Sequence, residues 1–311
     1  MGATPSRFKS ARPQFSLHSS SVLRIIYLGI LVFYRLLYIL PKNLLSHFVG
    51  LIVHARLPFG LHRGIKTWFI GHFRVETGEA EFPIDRYETL GSFFIRQLKP
   101  GARPIAPAIL VSPVDGTLTQ GGRFQPLAQK LTQIKGIDYR LQELVGPDWN
   151  LQDYLTGGFL TIYLAPYNYH RIHSPIEGRV TQVTYIPGAL WPVNTWSVNH
   201  IPGLFVVNER IVVEVEGTEG KALVVMVGAT NVGRITLDFH PGIVGNDLPR
   251  SRERLWRPQQ TLSMAKGQGL GCFELGSTVI LILSKTLAER LDPNLLGSGS
   301  HIVRMGQGFT A

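Results

Sequence analysis

The chain is predicted to be α+β, with membrane-associated helices toward its N-terminus and a β-rich domain after them, and three features of its 311 residues lead there. Two apolar, basic-flanked segments of helical length, Val22 to Leu40 and Asn43 to Ala55, come before any acidic residue. Beyond residue 108 the apolar period shortens toward two, and Gly178, Gly188 and Gly203 punctuate the chain. Near the C-terminus, Val279-Ile280-Leu281-Ile282-Leu283 is an apolar, β-branched run that reads as a buried strand.

Residues 1–21 are basic, with Arg7, Lys9 and Arg12, and too poor in apolar positions to pack, so a disordered tail is expected. Met1-Gly2-Ala3-Thr4-Pro5-Ser6 fits an N-myristoylation pattern, and the acid-free Arg/Ser composition resembles a transit peptide. From Val22 to Leu40, Arg24 and Arg35 fall on nearly one helical face. The longest uncharged run, Ile25 to Tyr34, is half of the roughly 20 residues a spanning helix needs. An interfacial helix with its arginines toward headgroups is therefore expected, ended by Pro41. Residues 22–83 form the expected membrane-associated helical region and 84–311 the β-rich domain.

Arg86 to Leu98 reads as a short helix with Leu90, Phe93, Phe94 and Leu98 inward, and Pro100, Pro104 and Pro107 then mark a linker. Phe159 to Leu164 reads as a strand. Ile211 to Val215 and Ala222 to Val227 bracket Gly217-Thr218-Glu219-Gly220 as a hairpin, and Thr286 to Leu291 carries a helical period. Asp115-Gly116 is a turn signal, and no internal repeat is present.

The net charge of +10 is not spread evenly. Residues 1–75 carry ten Lys/Arg and no Asp/Glu, which leaves 21 of each kind to balance in the remainder. Basic charge beside apolar helices points to an anionic membrane surface and away from nucleic acid. A single cysteine, Cys272, excludes an internal disulfide framework and a Cys-rich metal site.

Chemistry centres on Leu275-Gly276-Ser277-Thr278, where a turn-rich lead-in meets the apolar strand. Gly276 leaves its carbonyl open to close approach by the neighbouring Ser277 hydroxyl. Taken alone, Gly276-Ser277-Thr278 reads rather as polar turn chemistry before a strand. His170 and His173 stand three apart in a Pro-bounded segment. They could ligate a metal, but no third ligand of matching spacing is evident and none is predicted. They could instead be core residues, or one could act as base for a serine with a carboxylate such as Asp115 orienting it.

Five motifs in order extend these readings: Ser112-Pro113-Val114-Asp115-Gly116, Tyr169-His170-Arg171-Ile172-His173-Ser174-Pro175, Asn208-Glu209-Arg210, Val227-Gly228-Ala229-Thr230-Asn231-Val232-Gly233 and Phe273-Glu274-Leu275-Gly276-Ser277-Thr278-Val279-Ile280. Together, over roughly residues 84–284, they resemble the phosphatidylserine decarboxylase family. One departure is Gly269-Leu270, where the family usually has an acidic residue and a methionine.

The resemblance implies self-cleavage between Gly276 and Ser277, with His173 as base and Asp115 holding its imidazole. It implies a pyruvoyl cofactor made from Ser277, through which phosphatidylserine is decarboxylated to phosphatidylethanolamine as a Schiff base. The histidine matching His170 is implicated in decarboxylation. Processed chains 1–276 and 277–311 would remain associated at an anionic membrane surface. The location would be the cytoplasmic face of the cell membrane in a bacterium, or the mitochondrial inner membrane in a eukaryote. Oligomeric state, a homo-oligomer included, is not set by the sequence. Rival readings are a serine hydrolase using Ser277, His173 and Asp115, a non-catalytic lipid-binding β-domain, and a pyruvoyl decarboxylase for a soluble amino acid. No Gly-x-Ser-x-Gly elbow supports the first.

Overall fold

The computed structural model describes residues 42–56, 60–124, 130–133, 137–230, 234–246, 254–274 and 277–310. The expected tail over 1–21 and the helix over 22–40 lie outside the described residues.

Helices α1 (Lys42–His54) and α2 (Leu61–Phe73) open the described chain, followed by the short α3 (Leu90–Phe94). α3 stops four residues short of Leu98. Thr89 starts it through a capping box with Ser92, and Leu98 is then drawn out of helical geometry into a bridge with Ala80. Phe93 and Phe94 are buried as expected, whereas Leu90 and Leu98 are only partly so. Phe93, Phe94 and Leu90 pack with Phe69, Val75, Ala80 and Tyr87 in a small second core. This cluster has members on both sides of residues 83 and 84. α1 also packs against α3, and Asn43 Nδ2 donates to Gly188 O at 2.9 Å. Among the described residues no helix is long and apolar enough to cross a membrane.

The strands follow as β1 (Gly116–Arg123), β2 (Lys130–Gln133), β3 (Ile137–Arg140), β4 (Gly158–Leu164), β5 (Arg171–His173), β6 (Gly178–Ile186), β7 (Arg210–Gly217), β8 (Gly220–Val227), β9 (Ile235–Leu237), β10 (Leu255–Trp256), β11 (Leu262–Met264), β12 (Gly269–Phe273), β13 (Ser277–Leu283) and β14 (Gly297–Val303). Nine form one antiparallel sheet ordered β10-β6-β7-β8-β13-β4-β1-β14, with β11 also on β6. A second sheet runs β5-β12-β9, and β2 pairs with β3. The expected hairpin is present: Gly217 faces Gly220 across a two-residue turn, where Gly220 adopts a φ of +139°. The helical period expected over Thr286 to Leu291 forms a single short helix, α4 (Lys285–Glu289).

β13 is the keystone of the large sheet. Every residue of it is buried, and it is hydrogen-bonded to β4 on one side and β8 on the other. A strand buried on both faces has no need of polar alternation, which is why its sequence is a continuous apolar run. Val279, Leu281 and Leu283 join the main core with Leu164, Ile172, Met226 and Phe273.

Candidate active site

The segment between β12 and β13 carries the chain from the three-stranded sheet to the nine-stranded one. Leu275 and Gly276 lie outside the described residues, so the geometry is read from either side of them. On the downstream side Ser277 opens β13 opposite Leu164 and is fully buried, and its Oγ has no hydrogen-bond partner. On the upstream side Glu274 N donates to Arg234 O at 3.0 Å, and the Glu274 carboxylate meets His54 Nε2 of α1 at 3.0 Å. Helix α1 is thus tied to the stretch that precedes the Gly276–Ser277 bond.

His170 immediately precedes β5 and His173 ends it, and the strand pairs with β12 so that His173 faces Gly269. His173 N donates to Pro113 O at 2.9 Å, which brings the motif 112–116 beside it. A carbonyl can only accept, so the 2.7 Å contact of His173 Nδ1 with Gly267 O assigns the proton to Nδ1. Nε2 then holds the lone pair and accepts from the Tyr169 hydroxyl at 3.0 Å. Burial lowers the basicity of this ring below the ordinary histidine value, keeping it neutral near pH 7.

His170 is completely buried, with the Phe94 ring 4.1 Å away between centroids. Its Nδ1 donates to Asn168 O at 2.9 Å, and its Nε2 has no partner. Burial pushes its pKa down to about 3 against the rise from that backbone bond, and the nearby charge of Arg96 lowers it too.

Asp115 is not hydrogen-bonded to the His173 imidazole, contrary to the sequence expectation. Its carboxylate takes the Arg103 Nε at 2.9 and 3.1 Å and the Met305 backbone N–H at 2.8 Å. Arg103 is itself shared with Glu79 at 2.7 Å. The physical reason is that a forked cation outcompetes a neutral imidazole for a carboxylate. Asp115 acts on His173 and Tyr169 through space, its negative charge raising the pKa of each against or alongside burial. The structure therefore brings His173 and Asp115 into one region without a direct bond, and shows no hydrogen bond from Ser277 to either histidine.

Sequence reasoning missed Arg103, Gly267 and Arg96, and left Tyr169 without a role of its own. Arg103 sits among the prolines read as a linker. Only its charge beside a fixed backbone could have flagged it. Gly269, the departure from the family pattern, leaves room for an acid from elsewhere: a Cβ there would stand 2.6 Å from Asp238 Oδ2, and Asp238 pairs with Arg171 at 2.8 Å. A cleft of about 390 Å³ opens at this side, lined by Arg103, Tyr169, Arg171, His173 and Asp238.

A chain of this architecture has known counterparts. The family model described as phosphatidylserine decarboxylase matches residues 90–311. The phosphatidylserine decarboxylase proenzyme of Anaeromyxobacter sp. (strain K) is 42% identical over 266 residues, covering 85% of this chain and 93% of its own. The proenzymes of that name from Methylobacillus flagellatus and Myxococcus xanthus are each 40% identical, over 83% and 80% of this chain and 92% and 88% of theirs. By motif order and by identity over four-fifths of its length, the chain belongs to the phosphatidylserine decarboxylase family.

Proposed function

We propose that the chain is a self-processing decarboxylase of phosphatidylserine. The observation that carries this reading is Ser277: a serine hydroxyl with no partner, sealed at the head of the central strand of a proenzyme-family fold. A buried unsatisfied hydroxyl is costly, and it calls for a reason. Here the reason is chemical. Ser277 Oγ gives its proton to a histidine and attacks the Gly276 carbonyl carbon, breaking the peptide C–N bond and forming an ester. Loss of the Cα proton of residue 277 then breaks the Cβ–Oγ bond and frees Gly276 as a carboxylate. Water hydrolyses the enamine left at 277, with release of ammonia, to a pyruvoyl group.

That group supplies an electron sink for the carbanion left when carbon dioxide departs. The burial of Ser277 keeps water from it, and the two histidines of the motif are held as neutral imidazoles. His170 Nε2 can accept a proton from the incoming substrate ammonium and return it to Cα. In this assignment His173 serves cleavage and His170 serves turnover. One observation favours a second assignment, in which His170 is the cleavage base: its bare Nε2 and the Ser277 hydroxyl are both buried and both unpaired, one an acceptor and the other a donor.

The large sheet supports continued association of chains 1–276 and 277–311. The small chain would supply β13, paired on both sides, and β14, paired with β1. Its Phe309 N also donates to Leu110 O at 2.9 Å. Docking on an anionic membrane is supported by Leu44, Phe48, Leu51 and Ile52 along one exposed face of α1, and by exposed Leu61 and Trp68 on α2. In a bacterial cell that surface would be the cytoplasmic face of the membrane.

Intact-mass analysis of the purified chain tests the reading. A fragment ending at Gly276 and a 277–311 fragment beginning with pyruvoyl are expected, and Ser277→Ala should stay whole. The processed protein should float with vesicles containing phosphatidylserine and convert that lipid to phosphatidylethanolamine. Only full-length protein, or no conversion by cleaved protein, overturns the proposal.

A further inference from the structure

Two arginines are buried among the described residues, Arg96 and Arg210, and they are treated very differently. Arg210 is saturated by main-chain carbonyls, including Asn208 O at 2.8 Å and Glu143 O at 2.7 Å. Arg96 is 4% exposed, its Nε is sealed from solvent without a partner, and its guanidinium lies over the Phe93 ring, 4.9 Å from the centroid. The two arginines that line the cleft are already paired, Arg103 with Asp115 and Glu79 and Arg171 with Asp238. An aromatic face recovers part of the desolvation of a guanidinium but leaves its donors unused. A buried cation without an anion is strongly disfavoured, so a side chain kept in this state is one whose partner arrives from outside.

We propose that Arg96 is the residue that binds the phosphodiester of the lipid headgroup, a role that rests on the decarboxylase reading above. Its position suits the task. It lies two residues beyond Phe94, whose ring packs on His170, and its charge reaches both His170 and Asp115. The headgroup offers two anions, and the reaction chooses between them. The carboxylate loses its charge as carbon dioxide departs, so a guanidinium paired with it would hold the ground state more tightly than the transition state and slow the chemistry. The phosphodiester keeps its charge throughout. Binding it tightens substrate capture without penalising the decarboxylation step. The planar fork of arginine also matches two phosphate oxygens at once.

The test uses the full-length Ser277→Ala chain, which cannot process or turn over, so that binding is read apart from catalysis. Calorimetry compares three ligands: short-chain dihexanoyl phosphatidylserine, the phosphate-free O-hexyl-L-serine, and inorganic phosphate. Arg96→Gln should weaken the phospholipid by about 10- to 100-fold and leave O-hexyl-L-serine unchanged, with Arg96→Lys between. Equal losses for both serine ligands would mean a carboxylate contact or a structural role, and no loss for either would also overturn the proposal. Inorganic phosphate binding as tightly as the lipid would make this a free-anion site instead. Should the substitutions unfold the protein, the chain with Arg96 intact still decides. It must bind the phospholipid at least about tenfold more tightly than O-hexyl-L-serine, and equal affinities refute the assignment. In the processed protein, which keeps Ser277, Arg96→Lys should raise KM for phosphatidylserine with kcat little changed. Failure of that protein to decarboxylate the lipid at all would remove the enzymatic reading while leaving the binding result to stand or fall by itself.

Discussion

The two sides of the candidate site are held by different forces. Ser277 stands on β13, whose seven residues are buried and whose side chains meet aliphatic neighbours. The region of the histidines and Asp115, residues 112–115 and 168–174, is held by polar contacts: His173 to Gly267 and Tyr169, His170 to Asn168, and Asp115 to Arg103 and Met305. One side fixes a position through packing, and the other fixes protonation states and ring orientations through hydrogen bonds. The nucleophile needs only to be held and kept dry, whereas the bases need a defined lone pair, and packing alone cannot supply one.

Substitution on the polar side should give the largest change in chemistry. His173→Ala and Asp115→Asn are each expected to slow precursor cleavage by about 10²-fold or more, the first by removing the base and the second by removing a nearby negative charge that favours imidazolium. His170→Ala should mature normally and convert phosphatidylserine slowly. A time course on a gel, scored separately from lipid product, reads both. An uncut His170→Ala beside a normally processed His173→Ala would transfer the base role to the unpaired Nε2 of His170.

On the packed side the comparison predicts the reverse pattern. Leu281 is fully buried in the main core, so Leu281→Ala should cost about 2–5 kcal/mol of stability while the folded molecules cleave at the ordinary rate. Denaturant unfolding of uncut Ser277→Ala, with and without the second change, measures that cost. A cleavage rate that falls with unchanged stability would show that β13 does more than hold Ser277 in place.

The smallest expected effect is on pH dependence. His170 is folded with a pKa of about 3 against an ordinary value of 6.5, so the unfolded chain binds the extra proton between those limits. Stability is therefore full above about pH 6.5 and declines as the pH falls toward 3, by about 1.4 kcal/mol at about pH 5.5 from this residue alone. His173, lowered in the same direction, adds to the decline. His170→Gln should flatten the profile of unfolding free energy between about pH 6.5 and 5, and a slope equal to that of the parent would show that His170 is not the group responsible.

The sequence by itself determined the strand that follows Ser277, the hairpin of β7 and β8, the strand over Phe159 to Leu164 and the apolar helical segment over Asn43 to Ala55, to within a residue or so at each end. Each follows from a local period or a turn signal within a few residues. It also marked Asp115, His170, His173 and Ser277 as the residues to watch, through motifs whose order was distinctive. Only the tertiary structure decided which groups those residues meet. Gly267 O reaches His173 across 94 positions and Met305 N reaches Asp115 across 190, distances over which no periodicity carries information. The same holds for the two buried arginines. Nothing in the residues around Arg96 and Arg210 says that one will be saturated by carbonyls and the other left open, because hydrogen-bond satisfaction depends on which distant backbone groups the packed fold delivers.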